Sequence, residues 1–103
     1  MSYRVYKVII QDPAKEMLLY HARFLAQVSV AAAERLANEF TRQAKSLETM
    51  PERCPWLFNS YIPEYKYRKL VFEKRYMLLY QIIGNNVYVD AMVDCRQDYN
   101  WLL

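Results

Sequence analysis

The chain has 103 residues, 54% of them hydrophobic, with one Gly and four Pro; this is the length of one ordinary domain, with too few breakers for a disordered or linker-rich protein. A single domain over residues 1–103 is expected. The formal net charge of +3 implies solubility and a weak preference for anionic partners. No apolar run approaches the roughly 20 residues that cross a bilayer, and the segment 1–4 lacks the apolar core of a signal peptide. A cytoplasmic protein with no membrane contact is therefore expected.

Residues 3–10 are rich in Tyr, Val and Ile and read as a strand with apolar side chains on both faces, which suits an inner position in a sheet. Asp12 and Pro13 then open a helix, because a carboxylate accepts orphan N–H groups and Pro presets φ where no donor is needed. Leu18, Ala22 and Leu25, flanked by Met17, Phe24 and Val28, make its apolar stripe up to Gln27. Ser29 is the expected cap of a second helix, in which Ala33, Leu36, Ala37, Phe40, Ala44 and Leu47 follow three- and four-residue steps. The short join makes the two helices antiparallel neighbours, and Pro51 turns Met50 away from helical angles.

Residues 52–64 hold Pro55 and Pro63 with Trp56, Leu57 and Phe58, an irregular loop pinned by buried aromatics. Three strand-forming runs follow, 66–72, 75–83 and 87–93, separated by Glu73-Lys74 and by Gly84-Asn85-Asn86. The last run alternates most cleanly, with Val87, Val89, Ala91 and Val93 on one face and Tyr88, Asp90, Met92 and Asp94 on the other. The fold class is thus α+β, βααβββ, a two-helix hairpin packed on a largely antiparallel four-stranded sheet.

Chemistry is sparsely signalled. There is no Gly-rich phosphate loop, no paired His and Glu of a zinc enzyme, and no Ser or Cys with a recognisable base. No metal and no cofactor are expected. Cys54 and Cys95 form neither a zinc motif nor a redox pair, and both are expected to stay reduced. His21, the sole His, falls near the first helix's apolar stripe and reads as a packing residue. What remains is a basic and aromatic group: Lys66, Tyr67, Arg68, Lys69, Lys74, Arg75, Tyr76 and Tyr80, followed by Asp94, Arg96, Asp98 and Tyr99. Such a surface suits an anionic partner, although Lys and Arg also blunt sheet edges and Tyr also bridges core and solvent.

The order of segments and several anchors resemble the RelE/ParE superfamily of toxins from type II toxin–antitoxin systems. The anchors are Tyr3-Arg4-Val5 ahead of Ala14, Leu47 before Met50-Pro51, the strands Tyr67-Arg68-Lys69-Leu70 and Tyr76-Met77-Leu78-Leu79-Tyr80, and the ending Val93-Asp94-Cys95-Arg96-Gln97-Asp98 followed by Trp101-Leu102-Leu103. The resemblance implies a cognate antitoxin protein as partner, with a segment that orders on binding. It also implies one of two activities, or a binding or decayed domain without toxicity.

RelE-like members cleave mRNA on the ribosome, which requires cations on the phosphorane and groups that move protons. In that reading Arg68, Arg75, Arg96 and Tyr99 are the catalytic candidates, with Asp94 as another proton carrier, and the protein is an endoribonuclease. Met77 stands where such enzymes place an Arg, and Asp94-Cys95 where several place a His; Arg75, two residues away on the same strand face, is the available substitute for the missing Arg. ParE-like members inhibit DNA gyrase and need a binding surface rather than acid–base groups, so these departures favour the ParE-like reading, in which the protein is not an enzyme. Lys66, Arg68, Lys69, Arg75, Tyr80, Asp94 and Arg96 are the candidates for contact with target or nucleic acid. Arg68 alternatively pairs with Glu64 or Asp94 as scaffold.

Overall fold

The computed structural model describes residues 4–95. They run in the order β1 (Lys7–Ile10), α1 (Asp12–Ala26), α2 (Val30–Ser46), a 3-10 turn (Pro51–Arg53), β2 (Arg68–Phe72), β3 (Tyr76–Ile83) and β4 (Asn86–Asp94). The strands form one sheet in the order β1-β4-β3-β2. β2, β3 and β4 pair antiparallel, and β1 joins β4 in parallel. A parallel neighbour requires a long crossover, and the α1–α2 hairpin supplies it. No helix among the described residues is long and apolar enough to cross a membrane.

The α+β class holds, with local corrections. β1 is an edge strand: Tyr6, Val8 and Ile10 pack against the core under the helices, yet only one of its long sides is paired. Asp12 does not cap α1; Gln11 holds the cap position without a side-chain bond, and Asp12 and Pro13 sit in the first turn. There the carboxylate meets the positive end of the helix dipole and the missing proline N–H costs nothing. Ser29 caps α2 as expected, its Oγ accepting from the Ala32 N–H at 3.1 Å. Past the other end of α2, Arg53 donates to the carbonyls of Ser46, Thr49 and Met50; the first is one of the groups the helix leaves orphaned, and the other two belong to the turn that follows.

β4 departs from simple alternation. Leu79 faces Ala91 while its neighbour Tyr80 faces Val89, so Asp90 is one residue too many on β4. Such a bulge shifts the side-chain phase by one. Val87 and Val89 belong to the core under the helices, Ala91 and Val93 to a second cluster on the outer face, and Met92 returns to the helix side. The uniform Val87–Val93 face read from the sequence is thus divided between the two sides. The β3–β4 connection is tighter than expected: Asn86 opens β4, and Gly84, the first of two turn residues, takes the positive φ of +61° that this hairpin turn requires.

The helix-side core joins Ala14, Leu36, Phe40, Ala44 and Leu47 to Phe72, Tyr76, Leu78 and Tyr80. The outer cluster is closed by the 54–67 loop, through Leu57 and Ile62 over Met77, Leu79, Ala91 and Val93. Aliphatic residues, not the expected aromatics, therefore pin that loop; Trp56 is half-buried and Phe58 is 58% exposed. Phe24 on α1 and Val28 in the turn after it are also exposed and not in the core. Phe40→Ala is expected to destabilise the fold by about 3–5 kcal/mol, as loss of a buried aromatic does, whereas Phe58→Ala should cost less than about 1 kcal/mol. Urea unfolding midpoints of the two variants check this assignment.

Candidate functional site

The expected basic and aromatic surface is divided between two places. The first lies where β2 begins, against the turn after α2. Arg68 Nη1 donates to the carbonyls of Glu52 at 3.0 Å and Cys54 at 2.7 Å, and its guanidinium lies 4.0 Å above the Trp56 ring. The anticipated pairing with Glu64 or Asp94 is replaced by these carbonyls, because backbone bonds draw the loop onto β2: Lys69 N–H to Pro55 O at 3.0 Å and Leu57 N–H to Tyr67 O at 2.7 Å. Charged donors on carbonyls make strong contacts, so Arg68 fastens the loop that covers the outer cluster.

Tyr80, opposite Arg68 on β3, is 0% exposed and donates its hydroxyl to Pro51 O at 2.5 Å. Burial, with Cys54 beside it, holds the phenol far above its ordinary pKa. Its expected role in contact with a target is therefore corrected: it is a core tyrosine with a satisfied hydroxyl. Lys66 is exposed, its Nζ 5.3 Å over the Tyr67 ring. Lys69 is half-buried and shares the outer face with its cross-strand partner Leu79.

The second place is the far end of the β3–β4 pair. Tyr76 and Asp94 are opposite one another; Tyr76 lies on the helix side of β3 with Leu78 and Tyr80, and the β4 bulge brings Asp94 to the same side. Asp94, 2% exposed, accepts from Arg75 Nε at 3.0 Å. A buried carboxylate needs such a partner, so Asp94 is not an open contact residue. His21 is buried beside this pair, its ring 5.3 Å from those of Tyr20 and Tyr76, both edge-on. Its Nε2 has no hydrogen-bond partner among the described residues. Burial holds the His21 pKa below the ordinary value, opposed by Asp94 and reinforced by Arg75.

Arg75 leans to the helix side, lining a small pocket with Leu25, Arg35 and Leu36, whereas Met77 is packed into the outer cluster. Arg75 and Met77 thus address opposite faces, and Arg75 does not replace the Arg that RelE-like nucleases carry at that strand position. Arg96 and Tyr99 lie outside the described residues. Cys54 and Cys95 are free thiols, and among the described residues no group of three or more His, Cys, Asp and Glu is placed to hold a metal.

Of the candidate proton carriers, Asp94 is buried in an ion pair and Tyr99 lies outside the described residues. Lys66 and Lys69 remain as cations at the β2 start, a surface suited to contact rather than to proton transfer. Trp56 is the residue the sequence did not single out; the one signal for it was its place in a Pro-flanked loop, which says nothing of the stacking on Arg68.

The His21 environment has a pH consequence. A histidine whose folded pKa is depressed contributes stability that is present above the unfolded value of about 6.5 and is lost as pH falls through the folded value. The urea midpoint should therefore fall between about pH 7 and pH 5, and His21→Phe should flatten that dependence. An equal slope in both proteins would show that His21 is not strained by burial.

The sequence matches the family model described as the ParE toxin of type II toxin–antitoxin system, parDE, over residues 8–99. The fold is similar to a chain in a structure titled as a chromosomal ParDE toxin–antitoxin system from P. aeruginosa, with TM-score 0.71 and 12% identity over 88% of this chain and 97% of that one. No curated protein matches the sequence. The family match spans both candidate places and nearly the whole sheet and helix hairpin, and the chain belongs to the ParE toxin family of type II toxin–antitoxin systems.

Proposed function

We propose that this ParE-family toxin arrests growth by binding DNA gyrase in the cytoplasm. The observation that carries this reading is the state of the residues an RNA-cleaving relative would use. Met77 is an apolar residue sealed under the 54–67 loop, Arg75 is committed to Asp94, and Asp94 is buried in that pair. A transition state with developing charge requires preorganised cations and a proton acceptor, whereas an inhibitory complex requires only a complementary surface. Family membership also supports an antitoxin protein as the partner.

In this reading Lys66, Lys69 and Arg96 contact the target. Arg68 holds the loop that presents Lys66, and the Arg75–Asp94 pair fixes the strand end from which Arg96 and Tyr99 follow. The purified chain should inhibit supercoiling by gyrase and leave transcripts intact in a translation extract. Lys66→Ala and Arg96→Ala should weaken inhibition at an unchanged urea midpoint. Arg68→Ala should instead lower stability by about 1–3 kcal/mol, because two carbonyls lose a charged donor. Cut transcripts with undiminished supercoiling would replace this reading with the RelE-like one; normal growth on induction would leave a non-toxic domain.

A further inference from the structure

We infer that α1 carries a self-complementary interface for a second copy of this chain. One face of α1, with Ala14, Met17, Leu18, His21 and Leu25, packs into the core or against it. These positions follow the three- and four-residue steps of an amphipathic helix, and the opposite face would ordinarily be polar. There Leu19 on one side and Tyr20 with Phe24 on the other flank Glu16 and Arg23, each of the three apolar residues about half or more exposed. They line an open groove with Glu16, Arg23 and Gln27. Exposed apolar residues in a contiguous patch mark an interaction surface, whereas scattered ones do not.

The charges on this face select the occupant. Glu16 and Arg23 are two turns apart on one face, with the apolar residues between and beside them. An isologous contact places the same patch of two copies face to face, related by a two-fold axis. With the α1 helices antiparallel and the axis crossing near Tyr20, Leu19, Tyr20 and Phe24 of both copies meet in the centre. Glu16 of each then comes within side-chain reach of Arg23 of the other. A parallel arrangement sets Glu16 against Glu16 and Arg23 against Arg23 and is disfavoured. Tyr20 is steadied from beneath by the buried His21 ring, edge-on at 5.3 Å, so part of this face is ordered before association. A single helix face is small beside a standard interface, and the dimer is expected to form in the range of tens of micromolar, as order of magnitude.

The experiment is sedimentation equilibrium of the full, antitoxin-free chain across that range, with circular dichroism to check folding. The wild type should dimerise and Phe24→Asp should be monomeric with an unchanged spectrum. Glu16→Arg should weaken association by about tenfold, since each copy then meets like charge twice. Adding Arg23→Glu to it should restore association. Glu16 and Arg23 are exposed, so the swap tests the geometry even where Phe24→Asp fails to fold. A wild type that stays monomeric at about ten times that concentration, including one that uses this face only for an antitoxin, overturns the proposal. Equal association of the wild type, single and double charge variants overturns it as well.

Discussion

One extra residue in β4 decides what the two faces of the sheet can hold. With Asp90 bulged between the Leu79–Ala91 and Tyr80–Val89 pairs, the strand changes phase midway. Its first half sends Val87 and Val89 under the helices, and its second half sends Ala91 and Val93 outward. The bulge is held by polar contacts of its own: the Asp90 carboxylate accepts from Gln81 Nε2 at 2.7 Å, and Tyr67 lies close enough that Asp90 adds to burial in raising its phenol pKa. Without the shift the outer face would lack the apolar pair that Leu57 and Ile62 cover, and the 54–67 loop would have less to close upon.

The same phase change sets the second candidate place. It turns Asp94 toward the helices, where the carboxylate meets Arg75 and lies beside His21. It leaves Met77, on the neighbouring strand, facing the outer cluster. The strand end is consequently a buried, ion-paired junction, and Lys66, Arg68 and Lys69 are gathered at the β2 start. In the proposed reading as a contact scaffold, the ion-paired strand end and the pinned loop hold the presenting segments in place, and Asp94, buried in its pair, is not an accessible proton carrier.

Much of the fold was legible because it rests on periodicity. Leu36, Phe40, Ala44 and Leu47 recur at helical steps and all are buried, Ser29 caps where a short polar side chain precedes an apolar run, and the β-rich runs become β2, β3 and β4. The bulge was not legible, because Val87, Val89, Ala91 and Val93 continue a perfect alternation and an apolar residue is acceptable on either buried face. Arg68 was read as a surface cation because nothing local to residue 68 reveals carbonyls at Glu52 and Cys54, which sequence separation places far away. Phe24 and Val28 were assigned to the core stripe on hydrophobicity alone, although the helix had more apolar residues than one face can bury. In the site the residue types were visible, but their accessibility was a property of the tertiary arrangement.

The direct test of the bulge is deletion of Asp90, followed by urea unfolding and near-ultraviolet circular dichroism. With Asp90 removed, Val89 and Ala91 become consecutive, so unbroken alternation keeps Val87 and Val89 under the helices and Ala91 and Val93 outside, and only the contacts of Gln81 and Tyr67 with their shared acceptor are lost. A retained cooperative transition with a modestly lowered midpoint, and a retained aromatic signal from the packed tyrosines, is the predicted result. Loss of the cooperative transition and of that signal would contradict the account, because it is the outcome expected if Val87, Val89, Ala91 and Val93 shared one face.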